Sequence, residues 1–221
     1  MPAKEDHGRA RRYFDELAPE YDRAFAQAGG DPLNALVNRF FRGPTFARRM
    51  RLLEALFGEL GLTGRSLLDL GCGSGQVSLL AAKMGASVHA VDIAPRMLAI
   101  AKESAEHAGL AGSIRFEEGD VSATTYPAAD VVLLVGVVEY YADHAGLLRR
   151  AAEAARRTLV VAHTSRVPHR VLLRRLLFLF KGSSLYFHPM ADVIRSGEAA
   201  GLRLAREIRD RAFSILVFER P

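Results

Sequence analysis

The sequence lacks several features that mark whole classes of protein. It contains one Cys and no Trp in 221 residues, so an internal disulfide is excluded and the chain is unlike a disulfide-stapled miniprotein. The N-terminus MPAKEDHGRARRYFDEL is charged where a secretory signal needs an apolar run, and we therefore expect a cytoplasmic protein. Repeats and low-complexity linkers are missing as well. With 49% hydrophobic and 25% charged residues, the composition is typical of a globular protein of one-domain size.

Positive charge is concentrated in one part of the chain. Residues 145–181 contain nine Arg or Lys and one acid, so they carry +8, whereas the rest of this +5 chain carries −3. Such a segment suits phosphates, anionic lipid or an acidic substrate, or it is simply a solvated helical face. The sequence leaves these alternatives open.

The hydrophobic period changes near Ser66. Before it, residues 9–28 are amphipathic with a break at Pro19, and a helix is expected over roughly Pro44 to Leu60. After it, short β-like runs alternate with helical stretches, which indicates βαβ units and a parallel sheet. The last two runs, LRLAREIRD and AFSILVFER, are joined by about two residues, too few for a crossover, so the last strand should be antiparallel. We predict a doubly wound α/β fold with a seven-stranded, mostly parallel sheet.

A glycine loop follows the first predicted strand. It reads Asp69-Leu70-Gly71-Cys72-Gly73-Ser74-Gly75-Gln76, and glycines at such a strand-to-helix turn let the main chain approach a ligand closely. A dinucleotide fingerprint would need Gly where Gln76 stands. Because Asp69 would repel a pyrophosphate, the loop favours a ligand that carries positive charge.

Two further acids follow the next strands. Asp92 ends the second predicted strand, 21 residues after Gly71, which is the spacing at which a carboxylate reaches a ribose hydroxyl pair. Asp120 comes at the end of the third and is suited to accept a hydrogen bond from an adenine amino group. Each acid alone is explained equally well as a helix cap or a turn residue. Together with the glycine loop, Asp69, Asp92 and Asp120 are expected to line one crevice.

This set of residues resembles the class I S-adenosylmethionine-dependent methyltransferases. The resemblance covers nearly all of the chain from Leu67 onwards and implies a Rossmann-like methyltransferase domain over residues 63–221, preceded by a helical cap over 1–62. It implies S-adenosylmethionine as cofactor and S-adenosylhomocysteine as product. The cofactor residues that it implies are Tyr13, Tyr21, Asp69, Gly71, Gly73, Gly75, Asp92, Ile93, Met97, Asp120, Val121 and Gly136. Among them, Ile93 and Met97 would flank the adenine, and Gly136 would face the methionine end.

Several nucleic-acid substrates can be argued against. The turn after the fourth predicted strand reads Gly136-Val137-Val138-Glu139-Tyr140 and lacks the Pro-Pro-aromatic motif of enzymes that methylate exocyclic base amines. The single Cys72 lies in the cofactor loop, so a Cys nucleophile for pyrimidine C5 is missing. An apolar small molecule that accepts the methyl group on oxygen or nitrogen is therefore the expected substrate, and nucleic acid is disfavoured.

An insertion over residues 164–190 follows the fifth predicted strand. Arg166, Arg170 and Arg174 recur beside an apolar run that ends at Phe180, and the segment is too short and too charged to span a bilayer. It is interpreted as a lid over the substrate, as an interfacial helix that contacts anionic membrane through residues 166–181, or as core packing or a dimer contact. A peripheral membrane location belongs to the second interpretation. Parts of it, including Leu185-Tyr186-Phe187-His188, are similar to magnesium-protoporphyrin O-methyltransferases.

Candidate catalytic residues lie at the ends of the fourth and fifth strands. His163, Tyr140 and Glu139 are the principal candidates for accepting a proton or orienting the substrate, with Tyr141, Tyr186 and His188 beside them. A histidine at the carboxyl edge, such as His163, suits a general base, although a histidine hydrogen-bonded at a strand end explains it equally well. The remaining histidines show no ligand spacing, so no metal site is expected. The alternative functions are a non-catalytic cofactor-binding accessory protein at a membrane surface and a nucleic-acid methyltransferase.

Overall fold

The computed structural model describes residues 8, 11–16, 18, 43–123, 125–164 and 185–221. Tyr21 and most of the insertion, residues 165–184, lie outside this part of the chain. The described residues between 8 and 18 are helical. The cap over 1–62 and the two short helices expected over 9–28 therefore stay predictions.

The rest of the described chain contains five α-helices and seven strands. The helices are α1 Gly43–Leu60, α2 Gln76–Lys83, α3 Pro95–His107, α4 His144–Ala154 and α5 Met190–Ala199. The strands are β1 Ser66–Leu70, β2 Ser87–Asp92, β3 Ile114–Glu118, β4 Ala129–Val135, β5 Ala155–Thr164, β6 Arg203–Arg209 and β7 Phe213–Glu219. One-turn 3₁₀ helices cover Ala111–Ser113 and Val138–Tyr140.

The strands form one sheet in the order β3-β2-β1-β4-β5-β7-β6. Strands β1 to β5 are mutually parallel, and β7 runs antiparallel to both β5 and β6. The predicted α/β fold with an antiparallel last strand is therefore confirmed. The physical reason is the short turn between Arg209 and Phe213, which allows only a hairpin.

Residues of the central strands alternate between two cores. In β4, Val131 and Leu133 pack with α1 and α2 on one face, whereas Val132 and Leu134 pack with α4 and α5 on the other. Both faces of the sheet are thus covered, which explains why the central strands are almost entirely apolar.

One boundary differs from the prediction. Strand β5 begins at Ala155, three residues before the apolar run TLVVAH on which its prediction rested. Ala155 pairs with Ala129 of β4, and the register shifts between Ala129 and Val131. Pairing with a neighbouring strand therefore extends β5 through the exposed Arg156 and Arg157, which no apolar pattern marks.

Strand order determines where the functional side chains meet. Because β3, β2, β1 and β4 are neighbours and parallel, their carboxyl ends lie side by side along one edge of the sheet. The chain changes direction there between β1 and β4, and open α/β sheets bind ligands in the crevice at such a point.

Candidate active site

The glycine loop connects β1 to α2 at the carboxyl edge. Gly71, Gly73 and Gly75 all have positive φ angles, of 79°, 54° and 78°. A Cβ atom on Gly71 would lie 2.5 Å from Val137 Cγ2, so this glycine is required for packing, whereas a Cβ on Gly73 would meet no atom within 4 Å. The loop therefore turns tightly at Gly71 and presents open space at Gly73, where a ligand can approach the main chain.

Asp92 ends β2 and faces this loop. Its Oδ2 accepts a hydrogen bond of 2.7 Å from the Gly73 amide, and its Oδ1 accepts one of 2.9 Å from the Ala94 amide. The residue is only 8% exposed, and burial raises the pKa of its carboxyl above the ordinary value, against the opposing effect of hydrogen bonds from the Ala94, Gly73 and Ile93 amides. Since each carboxylate oxygen accepts two hydrogen bonds, the bonds from Gly73 and Ala94 are compatible with two ligand hydroxyls on the same carboxylate.

Asp69 lies beneath the loop and is 1% exposed. Its Oδ2 accepts a hydrogen bond of 2.6 Å from Ser78 Oγ on α2. Burial raises the pKa of this carboxyl to about 6, with a smaller contribution from the charge of Asp92. A buried carboxylate near a second one is stabilised by a nearby cation. The loop therefore favours a positively charged ligand, as its sequence suggested.

Asp120 follows β3 by two residues. Its Oδ1 accepts hydrogen bonds from the Ser122 amide at 2.9 Å, from Ser122 Oγ at 2.8 Å and from the Tyr141 hydroxyl at 3.3 Å. Burial and the adjacent carboxylate raise the pKa of Tyr141, so this tyrosine stays a hydrogen-bond donor. The neighbouring Val121 is buried. The structure thus brings Asp69, Asp92 and Asp120 to one edge of the sheet.

An apolar wall stands beside these acids. Tyr13 and Ala18 of the N-terminal helical segment pack against Ala94 and Met97 at the start of α3. Ile93, expected to flank a ligand together with Met97, is half-buried. Partly buried residues complete the wall: Phe14, Ile100, Tyr140 and Leu185.

Polar contacts dock the same N-terminal segment on the sheet. Arg11 forms an ion pair of 2.6 Å with Glu118 at the end of β3, and Asp15 Oδ1 accepts a hydrogen bond of 3.1 Å from the Arg96 amide in the first turn of α3. The Phe14 ring meets Tyr140 edge-on, with centroids 4.9 Å apart. These contacts hold Tyr13 against the crevice.

Arg49 is a site residue that the sequence argument missed. It belongs to α1, and a Cβ atom on Gly136 after β4 would lie 3.3 Å from its Nη1. Its guanidinium lies over the Phe46 ring at 5.6 Å. In the sequence, Arg49 is distinguished only as a cation three residues after Phe46, on the apolar face of a predicted helix. A half-buried guanidinium beside Gly136 is suited to a carboxylate.

Glu139 and His163 lie together beneath the turn after β4, both nearly inaccessible, at 3% and 2% exposed. Glu139 Oε1 accepts a hydrogen bond of 2.8 Å from the Thr164 amide. His163 Nε2 lies 2.9 Å from the carbonyl oxygen of His188, and since a carbonyl only accepts, Nε2 carries the proton. Its Nδ1 lies 3.8 Å from Glu139 Oε1. Their predicted catalytic role, like that of Tyr140, stays a prediction.

His188 joins this group to the neighbouring elements. Its Nε2 donates a 2.9 Å hydrogen bond to the Tyr141 carbonyl, and its ring lies on that of His144 with centroids 4.0 Å apart. Burial, with a smaller effect of His188, lowers the pKa of His144. Among the described residues, no group of three or more His, Cys, Asp or Glu side chains is arranged to hold a metal ion.

A cavity of about 370 Å³ opens at the carboxyl end of β5, on the side of the β6–β7 hairpin. It is lined by His163, Thr164, His188, Pro189, Met190, Glu207, Arg209, Asp210 and Ser214. The exposed surface of its walls is mostly apolar, although polar and charged side chains such as Glu207 and Arg209 contribute to them. Within the part of the chain that the structure covers, no helix is long and apolar enough to cross a bilayer.

Comparison with known proteins agrees with this geometry. Residues 67–159 match the family model described as a methyltransferase domain. Over 98 residues the chain is 40% identical to the ubiquinone biosynthesis O-methyltransferase of Cereibacter sphaeroides, a match that covers 44% of this chain and 40% of that enzyme. Over 154 residues it is 30% identical to the chloroplastic magnesium protoporphyrin IX methyltransferase of Arabidopsis thaliana, which covers 67% of this chain and 49% of the relative. The matched region is thus less than two thirds of either relative.

A solved structure shares the whole fold. The magnesium protoporphyrin IX methyltransferase of Synechocystis PCC 6803, crystallised with bound S-adenosylhomocysteine, superposes with a TM-score of 0.78 at 21% identity. The superposition covers 98% of this chain and 100% of that one. The two chains therefore have the same fold, including the antiparallel end of the sheet.

Proposed function

We propose that the protein is a class I S-adenosylmethionine-dependent methyltransferase that transfers a methyl group to an apolar small molecule, and the match of residues 67–159 to a methyltransferase-domain family model supports this. The observation that carries the proposal is the hydrogen bond of 2.7 Å between the Gly73 amide and the Asp92 carboxylate, which places the glycine loop and this acid together at the carboxyl edge of the sheet. Asp69 and Asp120 lie along the same edge.

The described residues fit the cofactor part by part. Asp92 would accept the ribose hydroxyls, Asp120 the adenine amino group, and Met97 with Ile93 would flank the base. Tyr13 would close over the adenosine. Arg49 beside Gly136 would bind the carboxylate of the methionine end, which a guanidinium recognises in a two-pronged geometry.

When bound, S-adenosylmethionine supplies an electrophilic methyl group on a positively charged sulfur. The protein's own residues then have two tasks. The buried carboxylate of Asp69 favours the positive charge of the ligand, and the apolar wall around Tyr13 excludes water from the crevice. Holding the acceptor atom in line with the methyl group supplies most of the remaining rate enhancement.

We propose oxygen as the acceptor atom. The supporting observation is that a relative with 40% identity is named an O-methyltransferase. The cavity next to His163 has a mostly apolar surface with a few polar side chains, which supports an acceptor with a polar end attached to the apolar body that the sequence predicts. A nucleic-acid acceptor stays disfavoured by the missing motifs.

Two experiments test the function. Isothermal calorimetry should detect binding of S-adenosylmethionine and S-adenosylhomocysteine to the wild-type chain, and no binding of either would overturn the proposal. Mass spectrometry should then detect methyl transfer from deuteromethyl cofactor to a phenolic ubiquinone precursor or to magnesium protoporphyrin IX, the acceptor types that the names of the relatives suggest. Cofactor binding without turnover of these or of any compound in a metabolite extract would favour the accessory-protein alternative.

Location is a separate proposal. We propose a cytoplasmic protein that contacts anionic membranes through residues 166–181, which carry most of the charge excess and lie outside the described residues. The support is the sequence alone. Flotation with liposomes that contain phosphatidylserine tests it, since an electrostatic contact is lost as salt is raised, and no association at low salt would overturn it.

A further inference from the structure

Glu139 ties together two chain segments that are far apart in sequence. Its side-chain Oε1 accepts a hydrogen bond of 2.8 Å from the amide of Thr164, the last residue of β5. Its main-chain oxygen accepts one of 2.7 Å from the amide of Tyr186. A single residue, Glu139, therefore contacts the described chain on both sides of residues 165–184.

The burial of Glu139 separates it from an ordinary turn residue. The side chain is 3% exposed, and a carboxylate removed from water is costly unless hydrogen bonds and neighbouring charge offset the loss. The Thr164 amide supplies one such bond, and His163 Nδ1 lies 3.8 Å away. The carboxylate thus faces the end of β5.

The segment that Glu139 holds at Tyr186 runs across the carboxyl edge of the sheet. At one end, Leu185 packs on the wall formed by Tyr13 and Met97. At the other end, His188 donates to the Tyr141 carbonyl and accepts from His163 through its own carbonyl. This segment therefore connects the proposed adenosine side of the crevice to the cavity beside β5.

We propose that Glu139 is a positioning residue for the acceptor side of the site, an inference that rests on the proposed function. Its carboxylate fixes the end of β5 beside His163, and its carbonyl fixes Leu185–His188 against the crevice. The role differs from proton acceptance in what it requires of the side chain. Positioning needs an acceptor oxygen of the right reach, whereas a general base needs a titratable carboxylate.

Two substitutions separate these roles. Glu139→Gln keeps the volume and an oxygen that accepts from the Thr164 amide, whereas Glu139→Ala leaves that buried amide without its partner. Glu153 on the exposed face of α4 supplies matched controls, Glu153→Gln and Glu153→Ala, which make the same chemical changes away from the crevice.

Amide hydrogen exchange of the protein alone, resolved by residue, gives the first readout. The exchange rate of the Thr164 amide is divided by that of the Val132 amide in the centre of β4, which serves as internal reference. This ratio should be at least tenfold higher in Glu139→Ala than in the wild type. In Glu139→Gln the change should stay within threefold. Unchanged exchange at Thr164 in the alanine variant, or equally fast exchange in both variants, would overturn the proposal.

Methyl transfer to the phenolic ubiquinone precursor gives the second readout. A positioning role predicts kcat within threefold of wild type for Glu139→Gln and at least tenfold lower for Glu139→Ala, with S-adenosylhomocysteine affinity kept in both. Equal loss in the two variants would identify Glu139 as a base instead. The exchange measurement needs no cofactor or acceptor, so it tests independently of the proposed function whether Glu139 holds the end of β5. A wild-type chain that binds no S-adenosylhomocysteine would overturn the proposed function and leave the exchange result unaffected.

Discussion

The Gly73 amide donates a hydrogen bond of 2.7 Å to Asp92 Oδ2, and this contact joins the loop after β1 to the end of β2. The same carboxylate receives the Ala94 amide through its other oxygen. The loop after β1 and Ala94, which follows β2, thus hold the Asp92 carboxylate in place without any ligand. The contact makes Asp92 a structural member of the loop as well as the proposed partner of the ribose.

Replacing Asp92 should therefore weaken cofactor binding strongly. For Asp92→Ala we expect a loss of about 1–3 kcal/mol in the binding of S-adenosylhomocysteine, because ribose hydroxyls would lose a charged partner. Calorimetry measures this as a roughly 5- to 150-fold rise in Kd.

The matched control is Asp130→Ala at the opposite edge of the sheet. Asp130 Oδ2 likewise accepts two hydrogen bonds, from the Ser66 amide and the Ser66 hydroxyl. This variant should lose stability but keep its affinity. Full binding retained in Asp92→Ala would contradict the assignment of the ribose site.

The open space at Gly73 predicts a substitution that affects binding more than folding. Gly73→Ala meets no protein atom within 4 Å and costs only the roughly 1–2 kcal/mol of a left-handed residue with a side chain. Its methyl group would occupy the approach to the main chain, so we expect S-adenosylhomocysteine affinity to fall at least tenfold.

Gly64→Ala is the control for Gly73. Gly64 has a φ angle of 72° and also has nothing within 4 Å of an added Cβ, but it lies in the turn between α1 and β1. Denaturant unfolding should show similar losses of stability in the two variants, whereas calorimetry should show lost affinity only for Gly73→Ala. Equal S-adenosylhomocysteine affinities of Gly73→Ala and Gly64→Ala would show that the ligand does not bind against the Gly73 main chain.

Asp69 predicts a pH dependence of stability. Its carboxyl has a pKa of about 6 in the folded protein and the ordinary value of 3.8 when unfolded, so between these pH values the folded state binds the extra proton. Stability from this group is therefore lost as pH rises from about 4 to 7, by roughly 3 kcal/mol. Relative to wild type, Asp69→Asn should remove this loss and be the more stable protein at pH 7, as urea unfolding across this pH range would show.

The same variant should also alter ligand preference. Removing the buried negative charge should weaken S-adenosylmethionine, which carries a sulfonium, more than S-adenosylhomocysteine, which does not. Glu153→Gln controls for the change in net charge. Equal loss for both ligands would show that Asp69 does not act through the charge of the ligand.

The N-terminal segment should contribute to binding through its apolar side. Tyr13 is buried against Ala94 and Met97, and we expect Tyr13→Ala to lower S-adenosylhomocysteine affinity about tenfold because the wall of the crevice is lost. Arg11→Ala removes an ion pair whose partners are both about half exposed, and such pairs contribute roughly 0–1 kcal/mol. Calorimetry should show less than a twofold change for Arg11→Ala, and equal effects of both variants would contradict this division.

Much of this protein could be predicted from its sequence because the signals are local. The alternation of strands and helices, the glycine loop and the spacing from Gly71 to Asp92 indicate the fold and the proposed cofactor side. The three residues between β6 and β7 suffice to require an antiparallel end, since a chain of that length cannot cross over. These features depend on neighbours in sequence and on backbone geometry.

Only the tertiary structure shows which side chains meet at the carboxyl edge of the sheet beyond the glycine loop. Arg49 reaches Gly136 from a helix more than 80 residues earlier in the chain, and Glu139 meets both Thr164 and Tyr186. No period or motif records such contacts, because they arise when the sheet order brings the ends of β4 and β5 together under α1 and the segment before α5. Parallel strands bring residues from distant parts of the sequence to one edge, and only packing determines which of their side chains meet there.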